Sequence, residues 1–162
     1  MVNVLVLCTG NSARSVLSEA IINERGKGRF QAFSAGSKPT GKVNPFAIKL
    51  LDAKGYDTSG FRSKSWDEFA RPDAPEMDIV ITVCDSAAGE TCPIWPGAPV
   101  QVHWGFPDPA YVEGTDDEKL QAFSDVYDMI DPFIEQLVAL DVEKKDAGTL
   151  KAALRAIADR TG

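Results

Sequence analysis

Short apolar runs alternate along the chain with segments in which apolar residues recur at helical spacing. Four runs have the length and composition of buried strands, and they cover residues 2–7, 30–35, 78–83 and 100–104. Strands that alternate with helices favour a parallel sheet, because parallel neighbours need a crossover connection. The pattern therefore predicts an α/β fold, in which a single domain has a four-stranded parallel sheet with helices on both faces.

Two helices between these strands have clear end signals. One begins with Asn44 as its N-cap and Pro45 at its first position, and Gly55 closes it. Further along, Ser65 and Glu68 have the spacing of a capping box, which predicts a short helix.

The C-terminal part of the chain is predicted to be helical. Apolar residues mark one helical face from 116 to 140, where Pro132 is expected to bend or divide the helix. A weaker amphipathic pattern covers residues 149–160. We therefore predict a main domain over residues 1–140 and a C-terminal helical extension over residues 141–162.

Composition and charge narrow the choice of partners. The chain has 162 residues, of which 44% are hydrophobic and 25% are charged, as is typical of a globular domain with its own core. A formal net charge of -7 disfavours binding to nucleic acid or to acidic membrane surfaces. No targeting segment and no membrane span are visible, so we expect a cytoplasmic protein.

The three cysteines, Cys8, Cys84 and Cys92, do not suggest a disulfide framework in a domain of this size. In a reducing cytosol such residues are buried thiols, metal ligands or reactive groups. Because His103 is the only histidine, a structural zinc site is not expected, and we predict no metal site and no resident cofactor.

The loop after the first predicted strand has the pattern of an oxyanion site. Cys8 and Arg14 enclose five residues between a strand and a helix. Such a turn directs backbone N–H groups and the positive end of the helix to one place, where an arginine can grip two oxygens. The positive field is expected to lower the pKa of Cys8, and Asn11 tolerates a left-handed backbone. The predicted oxyanion-binding residues are Thr9, Gly10, Asn11, Ser12, Ala13, Arg14 and Ser15. A buried cysteine beside a surface arginine is the alternative.

Residues 8–15, Cys-Thr-Gly-Asn-Ser-Ala-Arg-Ser, resemble the catalytic loop of the low-molecular-weight tyrosine phosphatases and of the arsenate reductases that share their fold. The resemblance covers about residues 1–140. It implies Cys8 as the nucleophile, Arg14 as the oxyanion clamp and Ser15 as a hydroxyl donor to the thiolate. It also implies Asp108, in Phe-Pro-Asp-Pro, as the general acid, although Asp108 could be only a turn residue.

Three features favour a reductase over a phosphatase. Cys84 and Cys92 resemble the redox segment of thioredoxin-coupled arsenate reductases, with one more residue between them. The catalytic loop contains Ser12, where phosphatases usually have an apolar residue, and Val16 follows it where they have proline. Ala110 stands where phosphatases tend to carry an aromatic residue.

The resemblance therefore implies that arsenate is reduced to arsenite through a Cys8 thiolate adduct and a Cys84/Cys92 disulfide cascade. Thioredoxin is the implied reductant, and glutaredoxin with a small thiol stays open. One alternative is a low-molecular-weight tyrosine phosphatase that uses Cys8, Arg14 and Asp108 alone. A second alternative is a non-catalytic sensor of oxyanions or redox state, in which Cys84 and Cys92 have no role in turnover.

Some relatives bind potassium beside the loop through a threonine and an aspartate, and Arg62 and Lys64 stand at those places here. The resemblance implies that the ammonium group of Lys64 replaces the ion near Asn11, Glu19 and Ser34. A solvated surface lysine is the alternative.

Overall fold

Four parallel strands form the sheet in the computed structural model of the chain, which describes residues 1–84, 95 and 97–161. They are β1 (Val2–Leu7), β2 (Phe30–Ala35), β3 (Ile79–Thr82) and β4 (Val100–His103). The spatial order is β2-β1-β3-β4, with parallel pairing between all neighbours. The predicted fold class is confirmed.

The α-helices of the described residues are α1 (Arg14–Arg25), α2 (Pro45–Ala53), α3 (Asp116–Val138) and α4 (Ala147–Thr161). Short 3-10 helices cover Trp66–Phe69, Pro109–Tyr111 and Val142–Lys144. Among the described residues, no helix is long and apolar enough to cross a membrane.

The predicted end signals act largely as expected. Asn44 caps α2, because its Oδ1 accepts a hydrogen bond from the Phe46 N–H at 2.9 Å. Gly55 follows that helix with φ +91°, a left-handed conformation that favours glycine. Ser65 does begin a short helix, but its hydroxyl accepts from the Asp67 N–H rather than from Glu68.

Helix α3 continues through Pro132 without interruption, so the predicted division of this helix is wrong. Proline inside a helix costs roughly 3 kcal/mol, because one hydrogen bond is lost and the ring crowds the preceding turn. The buried face of α3 offsets this cost, since a fully buried apolar side chain contributes about 1.5–3 kcal/mol. That face consists of Phe123, Val126, Ile130, Phe133, Ile134 and Leu137.

The two faces of the sheet bury different clusters. The larger cluster contains alternate residues of β1 together with side chains from all four α-helices. The smaller cluster contains Leu5 and Leu7 of β1, covered by the 3-10 helix at Trp66–Phe69 and by Trp95. Helix α4 packs against β4 and α3. The division into residues 1–140 and 141–162 stays a prediction.

Candidate active site

The candidate site lies at the carboxyl ends of the two central strands. Cys8 directly follows β1, and Cys84 lies two residues beyond β3. These strands are neighbours, and Leu7 is in register with Thr82. Chain segments that leave adjacent parallel strands emerge at the same edge of the sheet, which is where ligands bind in open α/β folds. The topology therefore brings two of the three cysteines together.

A cavity of about 440 Å³ opens at this edge. It is lined by Cys8, Thr9, Gly10, Ser12, Ala13, Arg14, Thr40, Cys84, Asp108 and Tyr111. Asn11 and Ser15 are fully buried and do not line it. Thr40 and Tyr111 were not predicted from the sequence, and the 84% exposure of Tyr111 places this aromatic ring at the rim.

Arg14 and Asp108 face each other in this cavity. The guanidinium donates from Nη1 to the Phe106 carbonyl at 3.0 Å and from Nη2 to Asp108 Oδ2 at 3.3 Å. Asp108 Oδ1 accepts from the Ala110 N–H at 2.9 Å. Arg14 Nε is buried and has no hydrogen-bond partner in the part of the chain that the structure describes. Such a buried donor is costly unless a ligand supplies an acceptor.

Asn11 holds the loop from behind, with φ +45° in the left-handed region as predicted. Its Nδ2 donates to Ser15 Oγ at 2.8 Å and to Ser34 Oγ at 3.0 Å, and its Oδ1 accepts from the Lys64 N–H at 2.9 Å. The predicted contact between the Ser15 hydroxyl and the Cys8 thiolate stays a prediction.

A second segment, residues 36–44, encloses the loop through main-chain hydrogen bonds, and we call it the outer strap. The N–H groups of Lys38, Thr40 and Asn44 donate to the carbonyls of Thr9, Gly10 and Ser12 at 3.0, 3.1 and 2.8 Å. Of the loop amides, the Gly10 N–H lies beside the Cys8 thiol, and the Asn11 N–H donates to the Cys8 carbonyl at 3.3 Å.

The strap approaches the loop most closely at its first residue. A Cβ atom at Gly36 would overlap the carbonyl oxygens of Cys8 and Thr9, so only glycine fits. At Gly10, by contrast, a Cβ atom would meet Thr40 at an ordinary 3.4 Å.

Cys8 and Cys84 are both buried free thiols, and they lie next to each other in the cavity. Cys84 Sγ also accepts from the Thr9 N–H at 3.3 Å. The hydrogen bond with Cys84, followed by burial, raises the pKa of the Cys8 thiol, while the charge of Arg14 and the Gly10 amide lower it. The predicted lowering of the Cys8 pKa is therefore wrong for this arrangement, because that prediction did not take the neighbouring Cys84 thiol into account.

Lys64 lies behind the loop, where its side chain is only 9% exposed. Its ammonium is 3.9 Å from Glu19 Oε1 and donates to the Arg62 carbonyl at 3.1 Å, while Ser34 Oγ donates to Glu19 at 2.9 Å. Burial lowers the pKa of Lys64 and raises the pKa of Glu19. The alternative of a solvated surface lysine is wrong.

Other residues named from the sequence are placed elsewhere. Cys92 lies outside the described residues. His103 on β4 pairs its Nδ1 with Thr82 Oγ1 at 2.8 Å and does not line the cavity. Trp95 and Trp104 are buried in the two core clusters, as expected for packing residues.

A cysteine and an arginine around one loop, at the end of a central parallel strand, are typical of enzymes that act on tetrahedral oxyanions. A profile of the low molecular weight phosphotyrosine protein phosphatases matches residues 3–148. The chain therefore belongs to the low molecular weight phosphotyrosine protein phosphatase family.

Within this family, the chain is similar to arsenate reductases. It is 41% identical to the arsenate reductase of Halalkalibacterium halodurans and 38% identical to that of Bacillus subtilis, in each case over 124 residues. Both alignments cover 76% of this chain and 86% of the relative. The crystal structure of arsenate reductase from Archaeoglobus fulgidus has a TM-score of 0.66 at 26% identity and covers 85% of this chain and 99% of that one. The predicted resemblance is confirmed.

Proposed function

We propose that the protein is an arsenate reductase that uses the Cys8 and Cys84 thiols as its two-electron donor. The observation that carries the proposal is that these two thiols lie next to each other in one cavity, which is also lined by Arg14 and Asp108. A phosphatase needs only one cysteine there. Reduction of arsenic(V) to arsenic(III) needs two thiols, because two thiols supply two electrons to arsenic when they are oxidised to a disulfide.

The first step is attack of the Cys8 thiolate on arsenic. A sulfur–arsenic bond forms, one arsenic–oxygen bond breaks, and the oxygen leaves as water after protonation by Asp108. Arg14 and the loop amides hold the remaining oxygens, and the unpartnered Arg14 Nε supplies a further donor.

The second step releases the product. The Cys84 thiolate attacks the Cys8 sulfur, so that a sulfur–sulfur bond forms while the sulfur–arsenic bond breaks. The bonding pair stays on arsenic, which leaves as arsenite. The Thr9 N–H, 3.3 Å from Cys84 Sγ, stabilises the thiolate that this step needs.

Regeneration of the thiols completes the proposed cycle. Cys92 attacks the Cys8–Cys84 disulfide, which frees Cys8 and leaves a Cys84–Cys92 disulfide for an external dithiol to reduce. Thioredoxin in the cytoplasm is the proposed reductant, and glutaredoxin with a small thiol is the alternative.

The test is arsenite release with thioredoxin, thioredoxin reductase and NADPH, measured beside hydrolysis of p-nitrophenyl phosphate. Wild type should release arsenite over many turnovers. Cys8→Ser should lose both activities, whereas Cys84→Ser should lose arsenite release and keep any hydrolysis. Arsenite release by Cys84→Ser at the wild-type rate would refute the two-thiol mechanism.

Phosphate-ester hydrolysis is a second candidate function, because Cys8, Arg14 and Asp108 face one cavity and need no second thiol. Hydrolysis without any arsenite release would favour it over reduction. Oxyanion binding without either reaction would favour a sensor.

A further inference from the structure

Helix α4 lies almost entirely beyond the part of the chain that matches the family, which ends at residue 148. Its buried residues Leu150, Leu154 and Ile157 nevertheless belong to the main core. The helix packs against β4, the strand that leads into the segment carrying Asp108.

Trp104, the first residue after β4, joins this helix to the core. Its indole Nε1 donates to the Leu154 carbonyl of α4 at 3.1 Å, and the residue is only 2% exposed. Its ring lies 5.3 Å from the ring of Phe133, which in turn lies 4.9 Å from the ring of Phe106. The three rings form a continuous ring cluster with edge-to-face contacts.

The ring cluster ends at Phe106, whose carbonyl group orients Arg14. The Phe106 carbonyl accepts from Arg14 Nη1 at 3.0 Å, and the Phe106 N–H donates to the Val83 carbonyl at 3.1 Å. Asp108 follows two residues later and receives Arg14 Nη2. A shift of Phe106 would therefore displace both the oxyanion clamp and the acid.

We propose that α4 and Trp104 are positioning elements for Arg14 and Asp108. The hydrogen bond from the Trp104 indole to α4 holds one end of the ring cluster in place. At the other end, the Phe106 carbonyl accepts a hydrogen bond from the Arg14 guanidinium and so sets its position. Neither Trp104 nor α4 lines the cavity. An effect of Trp104 on arsenate turnover rests on the proposed function, whereas an effect of Trp104 on the affinity for an oxyanion does not.

The test compares Trp104→Phe with Trp95→Phe, using inorganic phosphate as the probe. Both substitutions shorten a buried tryptophan, but among the described residues the Trp95 indole N–H has no hydrogen-bond partner, and its ring lies in the other core cluster. A hydrogen bond contributes about 0.5–1.5 kcal/mol, so Trp104→Phe should raise the phosphate dissociation constant about two- to tenfold. Trp95→Phe should leave it unchanged. Equal phosphate affinity in the two variants, measured by calorimetry, would overturn the proposal.

A measurement on the wild-type protein covers the case in which Trp104→Phe does not fold. Coupling between two sites is reciprocal, so phosphate in the cavity should slow hydrogen exchange of the Trp104 indole N–H and leave that of Trp95 unchanged. Equal slowing of both indoles, or of neither, would contradict the proposal. Arsenite release by the wild type is scored separately, so that failure of the coupling and failure of the proposed function are told apart.

Discussion

Asn11→Ala should destabilise the protein strongly, because Asn11 combines a left-handed backbone with three buried hydrogen bonds. The side chain joins Ser15, Ser34 and the Lys64 main chain at 2.8–3.0 Å. At roughly 1 kcal/mol for each hydrogen bond, their loss amounts to about 3 kcal/mol. Alanine at φ +45° adds about 1 kcal/mol of strain. The expected loss is about 4 kcal/mol of the free energy of unfolding.

Two comparison variants separate the causes of this loss. Asn11→Gly removes the same hydrogen bonds without the strain, so it should be about 1 kcal/mol more stable than Asn11→Ala. Asn23→Ala is the matched control, because Asn23 makes two hydrogen bonds with the main chain of Ala32, away from the loop. It should lose stability while it keeps its affinity for phosphate.

Urea unfolding gives the free energies, and titration with inorganic phosphate gives the affinities. Asn11→Ala should lower both, since the Asn11 side chain no longer holds the loop that places Arg14 in the cavity. The reasoning is refuted if Asn11→Ala is no less stable than Asn23→Ala, or if it binds phosphate as tightly as the wild type.

Three further outcomes are expected. Cys84→Ala should lower the pKa of Cys8, because the neighbouring thiol that raises it most is removed. Iodoacetamide should then alkylate Cys8 faster near pH 7. Slower alkylation would show that Cys84 does not raise the Cys8 pKa. Potassium should leave the melting temperature unchanged relative to sodium at equal ionic strength, since the Lys64 ammonium already lies beside Glu19; a potassium-specific rise would place an ion there. Cys92→Ser should complete one turnover and stall with a Cys8–Cys84 disulfide, as peptide mapping after one arsenate pulse can establish, and normal cycling would exclude a three-thiol relay.

The sheet and the loop could be predicted from the sequence because their signals are local. β1 is a nearly continuous apolar run, and the structure gives β1 and β2 the predicted bounds. Cys8, Arg14 and Asn11 lie within one short turn between a strand and a helix, so their proximity follows from chain connectivity.

The proximity of Cys8 and Cys84 was implied only by the family resemblance, because the residue pattern itself does not contain the order of strands in the sheet. Only the pairing of β1 with β3 brings these thiols together, and with them the raised pKa of Cys8. Pro132 does not divide α3 for a related reason: its local cost is visible in the sequence, whereas the packing that offsets it is tertiary, and the predicted bend stays a prediction.

The outer strap constrains evolution through its length rather than through its side chains. Its hydrogen bonds to the catalytic loop are made by the main chain of residues 38, 40 and 44, so that most substitutions there leave the bonds intact. A single-residue insertion or deletion between residues 37 and 43 would instead shift the N–H donors of the strap relative to the carbonyl groups of the catalytic loop. Engineered variants can therefore change exposed strap residues such as Lys38 and Lys42, provided that Gly36, the buried Val43 and the helix cap Asn44 are kept, proline is avoided at 38 and 40, and the residue count is preserved.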